Sequence, residues 1–166
     1  MKRIVIFGNS GSGKSTLAKH LSLTHQLSHL DLDTLAWQDT QPPSRKPLSE
    51  SLTTIEAFID QHPCWVIEGC YSDLIEPILT SCNEVFFMDL PTQSCIENAK
   101  SRPWEPHKYD SKEAQDANLK MLVDWIAQYD TRDDNFSKKA HQSLFDHFRG
   151  TKHLYKENPT LKTQDQ

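Results

Sequence analysis

Nine consecutive residues, Gly8-Asn9-Ser10-Gly11-Ser12-Gly13-Lys14-Ser15-Thr16, have the types and spacing to hold a polyphosphate. The pattern is G-x-x-x-x-G-K-[ST], which cradles phosphates when it joins a strand to a helix. Wrapping phosphate oxygens with backbone N–H groups needs dihedrals that side chains disfavour, and the glycines permit them. A helix starting near Gly13 would aim its first amides and the positive end of its dipole at the same oxygens. Lys14 would reach the β- and γ-phosphates. The Ser15 hydroxyl would ligate Mg²⁺, and Thr16 is placed to touch the α-phosphate. The flanks suit the motif: Ile4-Val5-Ile6-Phe7 reads as a strand and Leu17 to Leu23 as helix. No N-K-x-D base-reading motif is present, which favours ATP over GTP.

Four carboxylates fall at expected strand ends. Asp33 could accept or hold the proton of an acceptor hydroxyl, and Asp31, two residues earlier, projects to the same side. Glu68, followed by Gly69, and Asp89 are both candidates to hold a magnesium ion. Phosphoryl transfer also calls for cations on the equatorial oxygens. Between the fourth and fifth expected strands the arginines are Arg102, Arg132 and Arg149. Arg102 and Arg132 bracket a segment that could close as a lid. Trp104, His107 and Tyr109 lie in it, to stack on a base or pin the lid down. Trp37 is a candidate wall for the acceptor. His141 reads as structural, and the remaining histidines show no metal-ligand spacing.

The elements that must position these groups alternate between strand and helix signals. Strands are expected at Arg3 to Phe7, His29 to Asp33, Cys64 to Glu68, Glu84 to Leu90 and Lys152 to Lys156. Helices are expected at Lys14 to His25, Ser49 to Gln61 (capped by Ser49), Asp73 to Leu79 (weakened by Pro77), Thr92 to Ser101 (capped by Thr92), Glu113 to Tyr129 and Ser137 to Phe148. The proline-bearing stretch Trp37 to Pro47 reads as loop. This order means a parallel sheet covered on both faces, with ligands beyond the strands' carboxyl ends.

At 166 residues the chain is expected to be one domain, with 36% hydrophobic and 25% charged residues. The net charge of −5 argues against a nucleic-acid or anionic-membrane partner. No apolar run approaches a membrane span, and the start reads directly into a strand rather than a signal peptide. Cys64, Cys70, Cys82 and Cys95 lack C-x-x-C spacing and are expected to be reduced thiols of a cytoplasmic protein.

The chain resembles small P-loop nucleotide kinases of the adenylate kinase-like group, in particular the branch labelled adenylate kinase or DNA topology modulation protein-like. The resemblance rests on the loop and on His29-Leu30-Asp31-Leu32-Asp33-Thr34-Leu35-Ala36-Trp37. It also rests on Trp65-Val66-Ile67-Glu68-Gly69-Cys70-Tyr71-Ser72, Phe87-Met88-Asp89-Leu90-Pro91, Tyr129-Asp130-Thr131-Arg132-Asp133-Asp134, Ser137, Ala140-His141 and Phe145. It implies an α/β, three-layer P-loop NTPase fold with a five-stranded parallel sheet, helices on both faces and a helical lid. Residues 1–157 would form the domain, 102–135 the lid and 158–166 a loose polar tail. The resemblance also implies that Glu68 rather than Asp89 joins Ser15 at the metal. The acceptor would sit over the second strand, and the loop Arg149-Gly150-Thr151-Lys152 near the adenine. Adenylate kinases proper carry an arginine soon after the acid-glycine of the third strand. Here none follows Glu68-Gly69-Cys70-Tyr71, and the acceptor region holds only Arg45 and Lys46. The Asp31-x-Asp33 pair is similar to that of shikimate kinase-like enzymes, whose acceptor is a hydroxyl.

The resulting expectation is ATP- and Mg²⁺-dependent phosphoryl transfer to a small molecule or nucleotide by a monomer or homodimer. Lys14, Asp33, Arg132 and Arg102 would act at the reacting groups. The alternative is an ATP-binding regulatory protein with weak or no turnover.

Overall fold

The computed structural model describes residues 1–162. β1 (Arg3–Gly8) leads through the glycine loop into α1 (Lys14–His25), then β2 (Ser28–Asp31) and a 3₁₀ turn, Leu32–Thr34. A two-stranded ribbon, β3 (Trp37–Gln38) with β4 (Ser44–Arg45), precedes α2 (Leu48–Gln61). Next come β5 (Trp65–Gly69), α3 (Ser72–Ile75) and a 3₁₀ stretch, Glu76–Ser81. The rest is β6 (Glu84–Met88), α4 (Thr92–Lys100), α5 (Lys112–Ala127), α6 (Lys138–His147) and β7 (Thr151–Tyr155).

Five strands form one parallel sheet in the order β2-β5-β1-β6-β7. The period-2 alternation of β1 divides the core. Val5 and Phe7 face a cluster with Leu32, Ile55, Leu74 and Leu144, and so bind α2, α3 and α6 to one side. Ile4 and Ile6 face Leu17, Cys95, Ala99 and Ile126, and so bind α1, α4 and α5 to the other. Each fully buried aliphatic side chain contributes about 1.5–3 kcal/mol, and a one-residue slip of β1 would swap its side chains between the two layers and misfit both. This is the three-layer P-loop NTPase fold. No helix among the described residues is long and apolar enough to cross a membrane.

Several local expectations differ from the structure. The second strand stops at Asp31, because the Asp31 carboxylate accepts the Asp33 amide (2.9 Å) and turns the chain. Asp33 therefore stands in a 3₁₀ turn and not on a strand. Ser49 and Thr92 cap nothing: Pro47 and Pro91 hold the extended position before each helix, and both serine and threonine lie inside the first turn. Ser111 and Ser137 are true caps, accepting from Ala114 and Ala140. Pro77 ends α3 after four residues and leaves 3₁₀ geometry behind it. The proline-rich loop contains the β3–β4 ribbon.

The loop Arg149-Gly150-Thr151-Lys152 lies at the wrong end of the sheet to meet a nucleotide on the glycine loop. Thr151 opens β7 opposite Glu84, the first residue of β6, and its amide donates to the Asn83 carbonyl (3.2 Å). Tyr155 pairs with Met88, so the residues after β7 are the ones that reach the glycine loop. The described part of the tail is docked there. Asn158 and Asn98 exchange amide hydrogen bonds, and Leu161 packs against the core cluster of α1 and α4. Residues 163–166 of the expected tail lie outside the described residues.

Candidate functional site

The glycine loop occupies the carboxyl end of β1, and Gly13 caps α1 in the left-handed region (φ 85°) with no side-chain cap bond. The first-turn amides of α1 thus keep their N–H groups for an outside acceptor, as helix N-termini do. Gly11 is also left-handed (φ 76°), and a Cβ there would strike the Cys95 carbonyl. Lys14 is buried rather than an exposed loop lysine. It is 9% exposed, and its ammonium donates to the Asn9 carbonyl inside the loop (2.6 Å). The Ser12 hydroxyl is buried with no hydrogen-bond partner. Uncapped amides, an orphaned hydroxyl and a converging lysine fit a polyphosphate.

The wall beside the loop is built between α1, β5 and β2. Ser15 Oγ donates to Glu68 Oε1 (2.8 Å) from the first turn of α1. Glu68 is buried near the end of β5, in register with Asp31 of β2. Burial first, then the charges of Glu68 and Asp33, push the Asp31 carboxyl above its ordinary value. Asp89 is differently placed: Lys156 (2.8 Å) and Lys138 (3.5 Å) both pair with it. It braces the ends of β6, β7 and α6, while Glu68 faces the loop.

Asp33 is the centre of the second half of the site. Its carboxylate accepts from the Tyr71 hydroxyl (2.5 Å) and from Lys108 Nζ (2.9 Å), and its side chain remains 40% exposed. Burial alone would raise the Asp33 carboxyl, but Lys108 and Tyr71 outweigh it and hold it below its usual range. Lys108 also lies 3.5 Å from Asp31. Against its own burial, the two carboxylates push the lysine up, so it is charged throughout the physiological range. Trp37 Nε1 donates to the Tyr71 oxygen (2.8 Å), and the Arg45 guanidinium lies over the Tyr71 ring (4.9 Å) while pairing with Asp73. Sequence reasoning missed Lys108. It sits beside His107 and Tyr109, and no spacing separates it from surface lysines. Tyr71 was legible only as the residue following Glu68-Gly69-Cys70.

A single cleft of 510 Å³ joins the halves, lined among others by Lys14, Ser15, Asp33, Glu68, Arg102 and Lys108. Arg102 reaches it and lies 3.6 Å from Glu105. Arg132 does not line it. Its guanidinium is stacked 3.3 Å from the Trp125 ring centre and paired with Asp134 (3.0 Å). The cation drawn to the cleft from the segment 102–111 is Lys108 instead. Within that segment Trp104 Nε1 donates to the Tyr109 carbonyl and braces the segment internally, and the Tyr109 hydroxyl accepts from Asn118 and ties it to α5. His141 is fully buried between the Tyr129 hydroxyl (2.7 Å) and the Cys70 carbonyl (2.8 Å), a strut under the strand end that bears Glu68.

No family model matches the chain. A Bacillus subtilis (strain 168) protein, "Uncharacterized protein YqaC", is 26% identical over 134 residues, 78% of this chain and 73% of that one. Among solved structures, shikimate kinase from Bacteroides thetaiotaomicron covers 87% of this chain and 97% of its own, at 15% identity and a TM-score of 0.46. Shikimate kinase from Acinetobacter baumannii in complex with shikimate covers 87% and 91%, at 16% identity and the same TM-score. None of these likenesses assigns a substrate or a residue role to this chain.

Proposed function

We propose that the chain is a P-loop kinase that transfers the γ-phosphoryl group of ATP, with Mg²⁺, to a hydroxyl of a small molecule or nucleotide. The observation that carries this reading is the single cleft lined by Lys14, Ser15, Glu68 and Asp33 together. A site for binding a nucleotide alone needs no hydrogen-bonded carboxylate such as Asp33 in the same cleft.

In this reading the loop amides and Lys14 bind the phosphates, and Ser15 and Glu68 hold the cation. Mg²⁺, when bound, neutralises charge on the transferring group. The acceptor oxygen attacks the γ-phosphorus, the bond to the ADP oxygen breaks, and the acceptor's proton passes to the Asp33 carboxylate. A carboxylate held below its ordinary range is a weak base. Asp33 therefore acts first by orienting the hydroxyl, and takes the proton late, as a loose transition state allows. Tyr71 fixes the carboxylate's rotamer. Lys108 holds the segment 102–111 over the cleft and limits water, which would otherwise compete with the acceptor. Arg102 is the arginine in reach of the transferring group, and Arg132 supports α5.

A second reading, a nucleotide-binding regulator with little turnover, is favoured by the Lys108 contact that occupies Asp33. The two separate in one experiment: ADP release from Mg·ATP across nucleoside monophosphates, nucleosides and hydroxyl-bearing metabolites, with Lys14→Ala as the blank. Stimulation by one acceptor class supports the kinase. Tight ATP binding with no stimulated release across the panel supports the regulator.

A further inference from the structure

We infer that His29 donates a ring nitrogen to the divalent cation held by Ser15 and Glu68, making this a mixed nitrogen–oxygen site that takes Mn²⁺ as well as Mg²⁺. The inference rests on the nucleotide-binding reading above.

His29 lies on β2 beside β5, two residues before the Asp31 that pairs in register with Glu68. Its Nε2 is buried and has no hydrogen-bond partner. The nearest charged atom is Glu68 Oε1 at 3.4 Å, but the ring is not aligned to donate to it. A buried ring nitrogen without a partner costs free energy unless something fills the place. Three donor atoms thus converge: Ser15 Oγ, 2.8 Å from Glu68 Oε1, and His29 Nε2, 3.4 Å from the same oxygen. Adjacent ligands on an octahedral ion of this size stand about 3 Å apart, so both separations suit neighbouring coordination positions.

The surroundings agree. A cavity of 260 Å³ is lined by Ser15, His29, Asp31 and His107 together with Lys19, and it shares Ser15 with the larger cleft that Glu68 lines. Asp31 stands two residues after His29 on β2, in register with Glu68. Among the described residues no group of three or more His, Cys, Asp or Glu side chains could hold an ion unaided. The site is therefore completed by Ser15 and by phosphate oxygens, and the ion enters with the nucleotide. Magnesium keeps oxygen ligands and several waters, and manganese also favours oxygen but, as a first-row transition ion, accepts an imidazole nitrogen more readily than magnesium does.

The test is pulsed electron paramagnetic resonance of Mn²⁺ and ATP bound to the full chain with its histidines labelled with ¹⁵N. A directly bound imidazole gives a ¹⁵N coupling beside the ³¹P couplings of the phosphates. The expected result is that coupling in the wild type, its loss in His29→Gln, and Mn²⁺ binding in the presence of ATP about tenfold weaker in the variant. Phosphorus couplings without a nitrogen coupling in the wild type overturn the role of His29 and leave the nucleotide reading standing. A nitrogen coupling that survives in His29→Gln also overturns it. Absence of any bound Mn²⁺ with phosphorus couplings overturns both. The wild-type spectrum decides even where the variant fails to fold.

Discussion

Lys108 Nζ lies 2.9 Å from Asp33 Oδ2, joining two residues 75 positions apart across the mouth of the cleft. One comes from the turn after β2 and the other from the segment between α4 and α5. The pair closes the cleft over the carboxylate that would meet the acceptor. Closure and acceptor binding therefore compete for, or share, the same oxygen atoms.

Lys108→Met is expected to loosen the segment 102–111. Hydrogen exchange there should speed up, phosphoryl transfer should fall at least about tenfold, and ATP hydrolysis should rise relative to transfer as water gains access. Exchange mass spectrometry and paired assays of transfer and hydrolysis check this. Unchanged exchange in the segment would show that Lys108 does not hold it.

Asp33→Asn keeps the shape of the site but removes the proton acceptor. Transfer should fall about 10²–10⁴-fold, with Mg·ADP affinity unchanged. Asp31→Asn should have a smaller effect on transfer, since Asp31 faces the turn and the cation side. Turnover numbers and calorimetric ADP binding for both variants separate the roles. Equal losses would make the pair one catalytic unit.

His141 gives a pH-dependent stability with a definite sign. Burial pushes its folded value down to about 4 from an ordinary 6.5. The folded state therefore refuses a proton that the unfolded chain accepts, and stability falls as pH drops from 6.5 toward 4. The loss approaches about 3 kcal/mol at the low end of that window. Urea unfolding of wild type and His141→Gln across pH 4 to 7 isolates it. The variant is expected to be less stable at pH 7 and to lose less on acidification. Parallel pH curves would contradict the assignment.

Gly11→Ala forces a side chain into the Cys95 carbonyl at a left-handed position. Destabilisation of about 1–3 kcal/mol is expected, together with loss of ATP binding as the loop shifts from α4. Thermal unfolding with and without Mg·ATP measures both effects at once. A variant whose unfolding temperature still rises with Mg·ATP would show that the loop tolerates the change.

The sheet and the glycine loop could be read along the chain because each depends on short-range signals, whereas Ser15 and Glu68 lie 53 residues apart and only the family resemblance favoured Glu68 over Asp89. β1 alternates its two faces, and α1 begins beside a left-handed glycine. What was hidden depends on contacts between distant segments. Lys108 gains meaning only when 102–111 folds over β2. The docking of Asn158 on Asn98 arises because β7 runs parallel to β6 and delivers the tail to the loop. Arg132 was misleading for the same reason: its place near the end of the expected lid says nothing about Trp125, on which it rests.

The most direct measurement follows the γ-phosphoryl group itself. Wild type and Asp33→Asn are each incubated with ATP labelled in that group and a mixture of nucleosides, nucleotides and hydroxyl metabolites, and the labelled products are resolved. The account predicts label in one small organic phosphate with the wild type and nearly none with Asp33→Asn. Label remaining in ATP, or appearing only as inorganic phosphate with both proteins, would contradict it.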